Sequence, residues 1–212
     1  MTKAVHMAVY DTFSDWELGY ATAHINRGMW QREPGTWQVL TVGVSSAPVT
    51  SAGGMRVVPD VVLSELSVAD SAMLLLPGAD TWETGALAAF GEKAREFLGA
   101  GVPVAAICGA TFGLAAAGLL DDRPHTSNDP EYLAMSGYSG AGHFVHRPAV
   151  TDGELITATG TKPVDFAREV LARLDIYEPH ILDAWYALYG HNDPQGFYTL
   201  AEYEAQRAPR EV

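Results

Sequence analysis

The chain has 212 residues, 48% of them hydrophobic and 18% charged, with a formal net charge of −13, one cysteine, 21 glycines and 12 prolines. That balance suits one domain with a substantial core, opposes attraction to phosphate backbones or anionic lipid, and rules out an internal disulfide. No apolar run approaches the length of a membrane span and the first residues lack a signal peptide's apolar region, so we expect a cytoplasmic protein with neither nucleic acid nor membrane as partner.

Residues 4–10, Ala-Val-His-Met-Ala-Val-Tyr, read as a first strand that ends in the polar turn Asp11 to Ser14. Asp15 to Trp30 then places Trp16, Tyr20, Ala23 and Ile25 at near-helical spacing behind a Ser14 or Asp15 cap. Glu17 falls in this helix's first turn. A carboxylate there usually does no more than offset the helix dipole, but the loop above a first strand of an open α/β sheet is also where site residues gather.

Trp37 to Val44 alternates as a second strand, and Val49 to Val62, interrupted by Gly53-Gly54, reads as a hairpin or a pair of short strands. Asp70 to Leu76 rises into Met73-Leu74-Leu75-Leu76, a buried parallel strand stopped by Pro77-Gly78-Ala79-Asp80. The glycine in that turn lets a neighbouring loop come close. Gly85 to Gly99 sets Leu87, Phe90, Ala94, Phe97 and Leu98 on one stripe opposite Glu92, Lys93, Arg95 and Glu96, an amphipathic helix.

The unbroken apolar run Val102 to Ile107 reads as a strand buried on both faces, and Ala110 to Ala117 as a tightly packed helix of small residues. Cys108 stands at their junction with Ala106 and Ala110 two positions to either side, the small-x-nucleophile-x-small pattern of a nucleophile elbow. Unpaired backbone N–H groups and the positive end of the helix dipole favour thiolate there, and the same N–H groups suit an oxyanion. The plain alternative is an inert, packed thiol.

Beyond the turn Leu119 to Pro124, the polar stretch His125-Thr126-Ser127-Asn128-Asp129 offers Asn128 or Asp129 as cap of a short helix, Pro130 to Met135. His143 to Val150, Asp152-Gly153 and Glu154 to Ala158 spell a hairpin with a type I′ turn. Thr161 to Leu174 is a further amphipathic helix, closing the α/β core near residue 175. Residues 177–208 read as two aromatic-rich helices broken at Gly190 to Pro194, packed on the core or on a second subunit. His143 and His146 do not have convincing metal spacing, and neither a metal nor a cofactor is assigned.

Taken together, these stations resemble the ThiJ/PfpI superfamily, cysteine-elbow relatives of the class I glutamine amidotransferases. They are Tyr-Asp-Thr-Phe-Ser-Asp-Trp-Glu-Leu-Gly after the first strand, Leu-Leu-Leu-Pro-Gly-Ala-Asp, Ala-Ile-Cys-Gly-Ala-Thr, Ala-Gly-Leu-Leu-Asp, His-Thr-Ser-Asn and Val-Thr-Asp-Gly-Glu-Leu-Ile-Thr-Ala. The aromatic tail looks like a bacterial branch labelled amidotransferase-like or intracellular protease/amidase. The resemblance implies a flavodoxin-like α/β sandwich over residues 1–175, with a mostly parallel central sheet and helices on both faces. Residues 176–212 add a helical extension, and the assembly implied is a homodimer. It also implies Cys108 as nucleophile, Glu17 as its carboxyl partner, and the backbone of Gly78 and Gly109 as oxyanion hole.

A protonated Glu17 donating to the sulfur favours thiolate or an oxidised sulfur, whereas an ionised one opposes both. Two positions depart from the family pattern. Gly109 stands where the protease branch has histidine, and Asn128 where another branch has it; asparagine cannot act as a general base. His125, three residues before Asn128, is the candidate substitute, ahead of His24 on the first helix.

The expected function is cysteine-dependent chemistry of the amidase, deglycase or glyoxalase type on a small carbonyl or amide substrate. The alternative is a non-enzymatic redox sensor or stress protein in which oxidised Cys108 is held by Glu17. A third possibility is a scaffold with a vestigial elbow.

Overall fold

The computed structural model describes residues 2–207. In chain order the strands are β1 (Lys3–Ala8), β2 (Trp37–Gly43), β3 (Val49–Thr50), β4 (Arg56–Val57), β5 (Val61–Val62), β6 (Met73–Leu76), β7 (Val104–Ile107), β8 (Ala149–Asp152) and β9 (Leu155–Ala158). The helices are α1 (Asp15–Asn26), α2 (Ala88–Gly99), α3 (Gly109–Ala116), α4 (Pro130–Ala134), α5 (Pro163–Arg173), α6 (Pro179–His191) and α7 (Pro194–Arg207).

Seven strands form one sheet in the order β5-β2-β1-β6-β7-β9-β8. All its pairings are parallel except β8 with β9, the antiparallel hairpin around Asp152-Gly153. The fold is thus a mostly parallel α/β sandwich with added C-terminal helices.

The apolar runs behave as strands with both faces covered must. Along β6, Leu74 and Leu76 face one apolar layer and Met73 and Leu75 the other; along β7, Val104 and Ala106 alternate with Ala105 and Ile107 in the same way. Phe90, Ala94 and Phe97 of α2, Phe112 and Leu114 of α3 and Leu133 of α4 cover the first face. Leu18, Ala21 and Ile25 of α1 cover the second, with Phe166 and Val170 of α5, Ile181 and Trp185 of α6 and Leu200 of α7. The expected core is therefore split by the sheet into two layers.

One segment takes its predicted hairpin form and adds a strand, and one differs from its predicted form. The stretch Val49 to Val62 yields a separate two-stranded hairpin, β3 with β4, before β5 turns to pair in parallel with β2. His143 lies in a single 3-10 turn and His146 in the loop after it, so the hairpin's first arm begins at Ala149. That loop is held instead by a short parallel bridge, in which His125 N–H donates to His143 O and Val145 N–H to His125 O.

No helix of the described residues is long and apolar enough to cross a membrane.

Candidate active site

Four segments converge at the carboxyl end of the central strands, where open α/β sheets expose loops to ligands. They follow β1, β6, β7 and β9 and bring Glu17, Gly78, Cys108 and Gly160 together.

Cys108 has φ 58° and ψ −127°, a conformation that side-chain-bearing residues rarely adopt. Its N–H donates to Ala158 O of β9 at 3.0 Å, and its carbonyl accepts from Thr111 N–H and, at 2.6 Å, from Thr111 Oγ1. Such strain persists only where the surroundings over-determine it. Here it turns a half-buried sulfur over the start of α3.

Glu17 is fully buried. Its Oε2 accepts the Gly78 N–H at 2.6 Å, whereas Oε1 has no hydrogen-bond partner. Oε1 lies beside the sulfur: a Cβ placed on Gly78 would sit 3.0 Å from both Sγ and Oε1, and one on Gly160 would sit 2.7 Å and 3.0 Å from them. Both glycines are thus required by close approach. Each stands two residues past the end of a strand flanking β7, the sequence signal by which Gly160 was identifiable although the sequence reading passed over it.

Asn128 was also passed over as a partner of the sulfur. Its Oδ1 accepts from Gly160 N–H at 2.8 Å and from Thr159 Oγ1 at 3.3 Å, which fixes the amide orientation and aims Nδ2 at Cys108 Sγ, 3.2 Å away. The asparagine where a histidine was sought is therefore a hydrogen-bond donor to the nucleophile, not a base.

Three expectations are corrected. Gly78 N–H is occupied by Glu17, so it is not free for an oxyanion; of the two expected backbone donors, Gly109 N–H remains directed at the sulfur. His125 is buried away from Cys108, with Nδ1 2.9 Å from Arg123 O and Nε2 3.2 Å from Tyr138 OH. With both nitrogens engaged by these groups and burial pulling its pKa down, it is a packed imidazole that makes no hydrogen bond to Cys108.

The third correction concerns charge. Burial and then the Glu17 carboxylate push the Cys108 thiol up to about 11, outweighing Asn128 and Gly109, which pull the other way. Burial also pushes the Glu17 carboxyl up to about 7, with the Gly78 N–H opposing. The helix start alone does not make a thiolate. The carboxyl oxygen beside that thiol is Glu17 Oε1.

Above the pair opens a cavity of about 540 Å³ lined by Trp16, Glu17, Cys108, Asn128 and the Thr159 to Pro163 segment. Among the described residues no group of three or more His, Cys, Asp or Glu side chains converges as a metal site would require.

Residues 3–173 match the DJ-1/PfpI family. A Bacillus subtilis protein named uncharacterized protease YoaZ is 39% identical over 202 residues, covering 94% of this chain and 96% of that protein. A second from the same organism, uncharacterized protease YdeA, is 34% identical over 189 residues, covering 86% and 88%. Among solved structures, a ThiJ/PfpI family protein from Bacillus anthracis superposes with a TM-score of 0.90 at 39% identity, covering 96% of this chain and 97% of its own. A DJ-1 superfamily protein from Agrobacterium tumefaciens gives a TM-score of 0.77 at 31% identity, covering 90% and 100%.

Proposed function

The chain belongs to the DJ-1/PfpI family, and from that premise we propose that it is a cysteine-dependent enzyme acting on a small carbonyl or amide compound through Cys108. The observation that carries the reading is Glu17 Oε1, a buried carboxyl oxygen beside Sγ with no partner of its own. A buried acceptor left unmatched costs stability, so its retention beside a strained nucleophile fits a proton acceptor for that nucleophile.

In this mechanism Sγ attacks the substrate carbonyl carbon as its proton passes to Oε1. The C–S bond forms, the carbonyl π bond breaks, and the oxygen takes the negative charge, accepting from Gly109 N–H once the sulfur has given up its lone pair to the new bond. Asn128 Nδ2 holds the sulfur in line. With an amide, the proton on Oε1 passes to the departing nitrogen as the C–N bond breaks, and water then releases the acyl group. With a 2-oxoaldehyde, that proton goes to the oxyanion to give a hemithioacetal on Cys108. Oε1 then carries the proton from C1 to C2, the resulting 2-hydroxy thioester is cleaved by water, and the 2-hydroxy acid leaves as the thiol is restored. A cavity of about 540 Å³ suits a compound of this size. Two relatives carry the word protease in their names, which agrees with the amide branch of this proposal.

The test is turnover of a panel of small aldehydes, ketones and primary amides by the protein and by Cys108→Ser. Turnover of at least one class, abolished in the variant, is expected. Turnover that survives the substitution overturns the reading, as does a protein inert to the whole panel that peroxide converts cleanly to a Cys108 sulfinate. The homodimer implied by the resemblance belongs to the same proposal, and the mass in solution by light scattering tests it.

A further inference from the structure

Beside the Cys108 cavity lies a second one of about 350 Å³ that shares Asn128 and Thr159 with it and is also lined by Phe144, His146, Arg147 and Lys162. Its charge is the reverse of the chain's, which has 13 lysines and arginines against 26 acidic residues. Ion pairs engage Arg32, Lys93, Arg95, Arg123, Arg168 and Arg173. Among the described residues Arg147 and Lys162 belong to no such pair, nor do Lys3, Arg27, Arg56 and Arg207, but only Arg147 and Lys162 line this cavity. The single acidic residue on the lining, Asp129, has its Oδ1 turned to the start of α4, where it accepts from Glu131 N–H at 2.7 Å and Tyr132 N–H at 3.4 Å.

The backbone under the two cations is fastened to the segments that hold the nucleophile's partners. Arg147 O accepts from Thr126 Oγ1 at 2.9 Å, Thr159 N–H donates to Pro148 O at 3.0 Å, and Lys162 N–H donates to Thr159 O at 3.1 Å. Two exposed, unpaired cations thereby share a lining with Asn128, in a protein whose net charge is strongly negative.

We infer that this second cavity receives an anionic terminal group of the compound whose carbonyl meets Cys108, so that the substrate class is a small carbonyl or amide compound carrying a carboxylate or a phosphate monoester. The inference rests on the proposed function for the reacting group alone. Anion binding next to Cys108 is measurable without turnover.

Cys108 is the only cysteine, so iodoacetamide alkylation reads this site by itself. The alkylation rate is followed with glutarate, glycerol phosphate or the neutral glutaramide present, each relative to the same protein without additive. At least one of the two anions slows alkylation, the neutral diamide does not, and added salt removes the protection. Arg147→Gln and Lys162→Gln each weaken protection by roughly threefold, as loss of a partly exposed ion pair implies, and together by roughly tenfold.

Protection by glutarate alone identifies the group as a carboxylate; protection by glycerol phosphate alone identifies a phosphate. Equal effects from all three compounds, no protection by either anion, or protection unchanged in the double variant overturns the inference. Lys162→Glu, a reversal at an exposed position, gives a second reading if the double variant does not fold, and protection that survives it also overturns the inference. A protein that shows anion protection but no turnover would lose the proposed function and keep the subsite.

Discussion

Helix α1 buries two titratable side chains about two turns apart, and the fold treats them in opposite ways. His24 has both nitrogens engaged: Trp185 Nε1–H, a donor only, donates a hydrogen bond to Nε2 at 3.0 Å, which leaves Nδ1–H to donate to Tyr177 OH at 2.9 Å. It also stacks on Trp30 and meets Trp185, Tyr177 and Tyr189 edge-on. Burial, with the Arg27 charge adding to it, lowers its pKa to about 4, so the ring is neutral. Glu17 is equally buried but has one oxygen satisfied and one not. A completed polar network fixes packing, whereas an incomplete one at the edge of a cavity is where a proton can move.

The largest effect expected on this contrast is that of Glu17→Gln. The amide keeps an acceptor for Gly78 N–H but cannot take a proton, so turnover falls by roughly two orders of magnitude. In the parent protein, turnover is expected to rise with pH through about 7 as Glu17 ionises, and the variant to lose that inflection.

Stability moves the other way. The carboxyl's pKa in the folded chain, about 7, lies above its ordinary value of 4.5 in an unfolded chain, so the fold favours the protonated form. That contribution is complete below the unfolded value and lost as pH rises through about 7. Glu17→Gln is therefore more stable than the parent to urea at pH 8, by up to about 3 kcal/mol, and the gain vanishes in acid. A variant with full turnover and no stability gain would break the contrast.

Next in size is His24→Leu, which strands the buried Trp185 N–H and costs about 2 to 4 kcal/mol in urea unfolding while leaving the alkylation rate of Cys108 unchanged. A changed rate would mean that the aromatic layer and the site are coupled. The smallest effect is that of Trp185→Phe, about 1 to 2 kcal/mol, which keeps a ring but frees His24 Nε2. Its sharper signature is an upward move of the His24 pKa, read by NMR; an unmoved value would show that burial alone holds the ring neutral.

Much of this was readable beforehand. The runs Met73-Leu74-Leu75-Leu76 and Val102 to Ile107 announced strands covered on both faces, because alternation disappears when neither side meets water. The elbow announced itself through Ala106, Cys108 and Ala110, and of the two candidate caps for α4, Asn128 and Asp129, the structure uses Asp129. The stretch His143 to Pro148 failed as a strand because its segment pairs briefly with His125 instead of extending β8, a choice made by a residue about twenty positions away.

Local sequence dictated which segments become strands and helices and that a lone sulfur stands where one passes into the other, since periodicity and small-residue spacing act over a few neighbours. The chain's folding in three dimensions decided which groups face that sulfur and which proton each can accept. Gly78 N–H went to Glu17 across 61 positions and Asn128 to the sulfur across 20. His125 was satisfied by Arg123 and Tyr138 before it could serve as a base. A hydrogen-bond donor serves one strong acceptor at a time and desolvation depends on everything packed around a group, so neither property belongs to a residue until its distant neighbours are in place.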